Sequence, residues 1–152
     1  MNICFVCYGN TCRSPMAKYI LRYLLKKENI NDVNVTSAGT NVYSVRLMSS
    51  GSQEQLKLHN IPFDTHYSQL FTDKLYNNND LIIVMDNSNL LNIQQYIPNA
   101  NKVKLMRSFF DGNYDIYDPY HTDKYNVAFD QIYNSCLGLI QYLKRKEKNN
   151  EK

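Results

Sequence analysis

The stretch Cys7-Tyr8-Gly9-Asn10-Thr11-Cys12-Arg13-Ser14 decides how the rest of the chain is read. It follows an apolar run, Ile3-Cys4-Phe5-Val6, and leads into Pro15 and a helical pattern, so it reads as strand, tight loop and helix start. A cysteine and an arginine with five residues between them, then a hydroxyl residue, suit a tetrahedral oxyanion such as phosphate. A loop of this length can aim successive backbone N–H groups at the oxygens. The following helix adds its positive dipole end, and the guanidinium of Arg13 can fork onto two oxygens. Gly9 can take a backbone angle closed to other residues, and Asn10 tolerates the left-handed region better than most. Cys7 then lies at the centre of a positive cradle that favours a thiolate, with Ser14 able to donate to it. Around Cys7 and Arg13 the residues read as phosphate-binding are Tyr8, Gly9, Asn10, Thr11, Cys12 and Ser14.

Outward from this loop, strand and helix patterns alternate. Asn2 to Val6 reads as a buried strand, and Ala17, Ile20, Leu21 and Leu24 recur at helical spacing until the pattern fades near Glu28. Val33 to Thr36 reads as a second strand that ends in a loop at Ser37-Ala38-Gly39-Thr40. A weak helix is expected from Ser50 to His59, and Thr72 can cap a short one through Tyr76. Leu81-Ile82-Ile83-Val84-Met85 is a continuous apolar run, the pattern of a parallel strand covered on both faces. Asp86-Asn87-Ser88 supplies a turn and helix cap, Pro98 ends that helix, and Val103 to Met106 reads as a fourth strand. Phe129, Ile132, Tyr133, Cys136, Leu137, Ile140 and Leu143 share one face of a final helix. This order predicts an α/β fold: a single-domain, four-stranded parallel sheet with helices on both faces and the phosphate-binding loop after strand one. Ligands in such sheets bind beyond the carboxyl ends of the strands. The long polar loop from Arg107 to Asn126 leaves strand four at that same end and carries Asp118 beside Pro119.

The run Val6 to Ala17 resembles the signature of the low-molecular-weight protein tyrosine phosphatases. Ser37-Ala38-Gly39-Thr40, Met85-Asp86-Asn87-Ser88-Asn89-Leu90 and Asp118-Pro119-Tyr120 match in the family's order. The resemblance implies hydrolysis of phosphotyrosine in proteins, with Cys7 as nucleophile, a phosphocysteine intermediate, Arg13 on the phosphoryl oxygens and Asp118 as the acid for the leaving oxygen. It also implies a cleft walled by Tyr43 and Tyr120, and a buttress for the phosphate loop from the segment around His66. Two departures are visible: Gln69 stands where the family often has arginine, and His121 where it commonly has a second tyrosine. Thr11 matches similar phosphatases that act on phosphoarginine, which makes protein arginine phosphatase the alternative; phosphotyrosine is chosen because several aromatic features favour it. Arsenate reduction would need further cysteines between Cys12 and Cys136, and there are none. A non-catalytic phosphotyrosine-binding module would need neither Cys7 nor Asp118. Because Cys12 shares a loop with Cys7, it is expected to trap oxidised Cys7 as a disulfide.

The net charge of +3 resides in the segment Lys144 to Lys152, which holds five cationic and two anionic side chains, so no nucleic-acid partner is expected. The phosphatase domain is expected over 1–146, with 147–152 a solvated, frayed tail. No apolar run is long enough to span a bilayer, and no basic region precedes the N-terminal strand, so a cytoplasmic protein without membrane contact is expected. The four cysteines are read as offering no zinc-type pair, and no metal or cofactor is expected. The partners expected are phosphorylated proteins, acted on by a monomer.

Overall fold

In the computed structural model, which describes residues 1–150, strand β1 (Asn2–Cys7) is buried on both faces. Alternation sends Ile3, Phe5 and Cys7 into one apolar layer, and Cys4 and Val6 into the other. Helix α1 (Arg13–Lys27) follows the loop that leaves Cys7. After it come β2 (Asn34–Gly39), α2 (Ser50–Leu58), α3 (Asp73–Asn78) and β3 (Leu81–Val84). The chain closes with α4 (Asn87–Tyr96), β4 (Val103–Leu105), a 3-10 turn (Met106–Phe109) and α5 (Tyr125–Asn150). The four strands form one sheet in the order β2-β1-β3-β4, and every neighbouring pair is parallel. All four carboxyl ends therefore lie along one edge, as the alternating patterns predict.

Helices α1, α2 and α5 cover the face that holds Phe5 and Ile83, while α3 and α4 cover the face that holds Val6 and Val84. The caps expected from sequence at Thr72 and Asp86 are in place, and Ser49 supplies one that was not foreseen. Ser49, Thr72 and Asp86 accept from the amides of Ser52, Leu75 and Asn89, and the Asp86 amide in turn donates to Asn89 Oδ1. At Gly138 an added Cβ would lie 1.7 Å from the Phe109 carbonyl oxygen, so only glycine lets α5 pass this close to the 3-10 turn. Among the described residues no helix is long and apolar enough to cross a membrane.

Several boundaries differ from the sequence reading; β1 runs on to Cys7, β2 starts at Asn34 and β3 ends at Val84. Strand β2 continues through Ser37, Ala38 and Gly39, because these pair with Phe5, Val6 and Cys7; the expected loop begins only at Thr40. Strand β4 stops at Leu105, and Met106 opens the 3-10 turn. Helix α5 runs to Asn150, so residues 147–150 are helical, with the side chains from Arg145 to Asn149 exposed. The remainder of the expected tail, 151–152, lies outside the described residues.

Candidate active site

The loop between β1 and α1 is held by its carbonyls. Those of Cys7, Tyr8, Asn10 and Thr11 accept, in order, from the Thr40 amide at 2.9 Å, the Asn41 amide at 2.9 Å, His66 Nε2 at 2.8 Å and the Ser49 amide at 2.9 Å. The Cys12 carbonyl accepts from Ser52 Oγ at 2.9 Å. A trans peptide directs each N–H opposite to the preceding carbonyl. Pulling these carbonyls outward therefore turns the amides of Tyr8, Gly9, Thr11, Cys12 and Arg13 the other way. Those five residues, with Cys7, line one face of a cavity of about 530 Å³ at the carboxyl edge of the sheet. Amides turned this way can receive an anion in the cavity.

The left-handed residue is Asn10, with φ of 55°, and not Gly9. The reason is the Asn10 side chain, which is fully buried. Its Nδ2 donates to Ser14 Oγ at 2.8 Å and Ser37 Oγ at 3.0 Å, and its Oδ1 accepts from the Gln69 amide at 2.9 Å. Its own amide donates to Cys7 Sγ at 3.2 Å. Because Ser14 Oγ accepts from Asn10, its single proton is free for Cys7 Sγ at 2.9 Å, with the Ala38 carbonyl at 3.3 Å as the competing acceptor. Cys7 is 3% exposed, at the floor of the cavity. Cys4 and Cys7 do have the two intervening residues of a metal pair, but strand alternation sends their thiols to opposite faces of the sheet. Among the described residues no group of three or more His, Cys, Asp or Glu is disposed to hold a metal ion.

Arg13 is buried at the start of α1. Its Nη1 donates to Asp86 Oδ2 at 2.9 Å and to the Ile116 carbonyl at 2.9 Å, and its Nη2 lies 3.6 Å from Asp118 Oδ2. Burial works against its charge, but Cys7, Asp118 and Asp86 outweigh burial and hold its proton more tightly than an ordinary guanidinium's. For Asp86, burial would raise the pKa. The Ser88 hydroxyl, Arg13 and the Asn89 amide prevail and keep it below the usual carboxylate range. Both bonds of Nη1 are thus spent inside the protein, which leaves the Nε–Nη2 edge for an oxyanion.

Asp118 is held at this site because its loop, which leaves the same edge of the sheet after β4, is pinned. The Ile116 amide donates to the Met85 carbonyl at 2.8 Å, and the Tyr117 amide to Gln131 Oε1 at 2.7 Å. The Asp118 side chain is half exposed, and its Oδ1 accepts from the Tyr120 amide at 3.1 Å.

His66 stands behind the loop, 4% exposed. Nε2 bonds the Asn10 carbonyl at 2.8 Å, and Nδ1 lies 2.7 Å from Lys18 Nζ. A carbonyl accepts only and an ammonium donates only, so His66 is the neutral Nε2–H tautomer. Burial lowers its pKa to about 4, helped by Lys18 and Arg22 and opposed by the Asn10 carbonyl and Asp64. Burial likewise lowers Lys18, to about 8.

A family model described as low molecular weight phosphotyrosine protein phosphatase matches residues 2–149. The low molecular weight protein-tyrosine-phosphatase PtpA of Staphylococcus aureus is 40% identical over 148 residues, which cover 94% of each chain. Among solved structures, YfkJ from Bacillus subtilis superposes with a TM-score of 0.91 at 27% identity over 96% of both chains. DARP, a Drosophila arginine phosphatase, superposes with a TM-score of 0.86 at 34% identity, over 95% of this chain and 98% of that one. The chain belongs to the low molecular weight protein-tyrosine-phosphatase family.

Within this phosphatase fold, Cys7, Tyr8, Gly9, Thr11, Cys12, Arg13, Tyr43, Asp118 and Tyr120 all line the one cavity. Asn10 and Ser14 stand behind the loop as braces and do not line it. Tyr43 is 88% exposed and Tyr120 60%, so both form the rim and not the floor. Cys12 Sγ lies 3.7 Å from Tyr125 Oη, at the head of α5. Sequence reasoning missed Asp86 as the partner of Arg13, having read it only as a helix cap; it also missed Lys18 as the partner of His66, and Arg46 as a lining residue. From sequence Lys18 reads as an outward residue with Arg22, Lys26 and Lys27; the structure instead buries it against His66.

Proposed function

We propose that this phosphatase hydrolyses phosphotyrosine in proteins through a phosphocysteine intermediate. The observation that carries the reading is the convergence of Cys7, Arg13 and Asp118 on one cavity, with the Cys7 thiol receiving bonds from Ser14 Oγ and the Asn10 amide. The phosphoryl oxygens sit in the loop amides and on the Nε–Nη2 edge of Arg13, which stabilise charge as the transition state forms. The Cys7 thiolate attacks phosphorus in line, the P–O bond to the phenol breaks, and protonated Asp118 gives its proton to the leaving oxygen. Asp118, now a carboxylate, takes a proton from a water that attacks the phosphocysteine. Inorganic phosphate leaves and the thiolate returns. Ser14 stabilises that leaving thiolate by hydrogen bonding.

Thr11 supports a second reading, hydrolysis of phosphoarginine, since it lines the cavity and a relative with the same fold is named an arginine phosphatase. The aromatic rim of Tyr8, Tyr43 and Tyr120 favours a flat phenol ring over a guanidinium. The test is kcat/KM for matched phosphotyrosine and phosphoarginine peptides, with Cys7→Ser and Asp118→Ala as controls. Cys7→Ser is expected to abolish turnover, and Asp118→Ala to slow phosphoenzyme formation most for poor leaving groups. A tenfold preference for phosphoarginine, reversed in Thr11→Ile, would overturn the choice of phosphotyrosine. Substantial turnover by Cys7→Ser would overturn the covalent mechanism.

A further inference from the structure

Arg46 lies in the segment between β2 and α2 and lines the same cavity as Cys7 and Asp118. Its backbone is fixed. The Arg46 amide donates to Ser68 Oγ at 2.8 Å, the Ser68 amide donates to the Arg46 carbonyl at 2.8 Å, and the next residues, Leu47 and Tyr67, form an antiparallel bridge. Its side chain is not fixed. The guanidinium makes no hydrogen bond or ion pair among the described residues, whereas Arg13 is tied to Asp86, Arg22 to the Val35 carbonyl and Arg107 to Asp111. An arginine held by both backbone groups, with its charged end exposed and unused, is placed to meet something outside the chain.

The charges around it say what that is. Of the residues lining the cavity, only Asp118 is acidic, and it faces Arg13. A phosphoryl group bound in the loop answers Arg13 and the amides, and leaves Arg46 at the rim without a counter-charge. Arg46 lines the cavity with Tyr43 and Ser44, from the segment between β2 and α2 and outside the loop that holds Cys7. We propose that Arg46 is a subsite for an acidic side chain, aspartate or glutamate, adjacent to the phosphorylated residue of the substrate protein. The proposal rests on the phosphatase reading and adds a sequence preference to it.

The pair forms at an exposed rim, so its strength is that of a surface ion pair, a factor of about two to five in affinity. It is remote from the reacting atoms and acts equally in ground and transition states, so it enters KM and leaves kcat alone. Added salt weakens it.

The experiment uses three phosphotyrosine peptides that differ only in their flanking residues, which are glutamate, alanine or lysine. Each is assayed with the unmodified protein, Arg46→Ala and Arg46→Glu, at low and at high salt, with p-nitrophenyl phosphate as a substrate that has no flanking residues. The unmodified protein is expected to favour the acidic over the alanine peptide by about threefold in kcat/KM, through KM, and to lose that margin at high salt. Arg46→Ala is expected to erase the preference and Arg46→Glu to turn it toward the lysine peptide. Turnover without charge preference, or the same preference in Arg46→Ala, overturns the subsite alone. Absence of turnover of every substrate, p-nitrophenyl phosphate included, overturns the phosphatase reading and the subsite with it.

Discussion

Replacing His66 with glutamine should flatten the acid side of the stability curve. In the fold His66 is neutral, donates from Nε2 to the Asn10 carbonyl and accepts from Lys18. Its folded pKa is about 4, with Lys18, Arg22 and Asp64 as the charged groups that act on it. In the unfolded chain it titrates near 6.5. A depressed folded pKa means that the unfolded chain takes up the proton first. The contribution is complete above 6.5, erodes as pH falls through the interval and is gone below about 4. The gap corresponds to about 3 kcal/mol. The structural event is specific. A protonated ring would present Nδ1–H to the Lys18 ammonium, so the ring must turn, and the Asn10 carbonyl loses its brace. Glutamine keeps an N–H for that carbonyl and does not titrate. Urea unfolding of both proteins between pH 4 and 7.5 measures the difference directly, and the comparison cancels every other titrating group. Between pH 6.5 and 4 the unmodified protein is expected to lose about 3 kcal/mol more than His66→Gln. Parallel curves would refute the assignment of His66 as a buried neutral brace.

Three further outcomes follow from contacts at the site. An alanine at Gly39 would place its Cβ 2.7 Å from the Tyr8 carbonyl and 2.9 Å from the Asn10 amide, both backbone, so Gly39→Ala is expected to cost about 1–3 kcal/mol and to depress kcat beyond any loss of folded protein. Asp86→Ala strips a buried arginine of its closest carboxylate and uncaps α4, at about 3–5 kcal/mol, whereas Asp86→Asn keeps the cap; denaturation of the pair separates the two roles. Peroxide is expected to inactivate the protein reversibly: Cys7 is oxidised to a sulfenic acid, the Cys12 thiol attacks its sulfur, water leaves and a dithiol restores both. In Cys12→Ser the loss should become largely irreversible, and equal recovery in the two proteins would end the idea.

What could be read from the sequence was local. Apolar runs gave the strands, helical spacing gave the helix faces, and the five-residue gap from Cys7 to Arg13 gave the loop. What escaped was decided by contacts distant in sequence. The sequence offered both Gly9 and Asn10 for a left-handed turn and could not choose between them; Asn10 takes it, because its side-chain donor and acceptor reach Ser14, Ser37 and Gln69 from there. Strand β2 outran its expected end because Ser37 to Gly39, poor in strand formers, are paired by β1. Helix α5 outran its own because Lys, Arg and Glu beyond Leu143 are good helix formers and Lys144 pairs with Glu28 at 2.7 Å.

Arg13 shows why a signature is not yet a site. The motif supplies an arginine but not its orientation, and a guanidinium has three edges to offer. Asp86 and the Ile116 carbonyl, from two loops that follow β3 and β4, take both hydrogens of Nη1 and so decide which edge faces Cys7. The same Ile116 bonds the Met85 carbonyl through its amide and brings Asp118, two residues on, within 3.6 Å of Nη2. One backbone residue therefore sets the relation between Arg13 and the proposed acid. Its side chain is 1% exposed, so the anchor is a packed core residue and not a mobile loop. A truncation at Ile116 should therefore injure catalysis at a distance: Ile116→Ala opens a cavity under the strap and is expected to cost about 2–5 kcal/mol in stability. In the protein that remains folded, it should also impair leaving-group protonation, seen as a steeper dependence of kcat/KM on leaving-group pKa. If Ile116→Ala lost stability but kept the leaving-group dependence of the unmodified protein, the strap would be a structural element only, and the placement of Asp118 would have to come from Pro119 and the Gln131 contact instead.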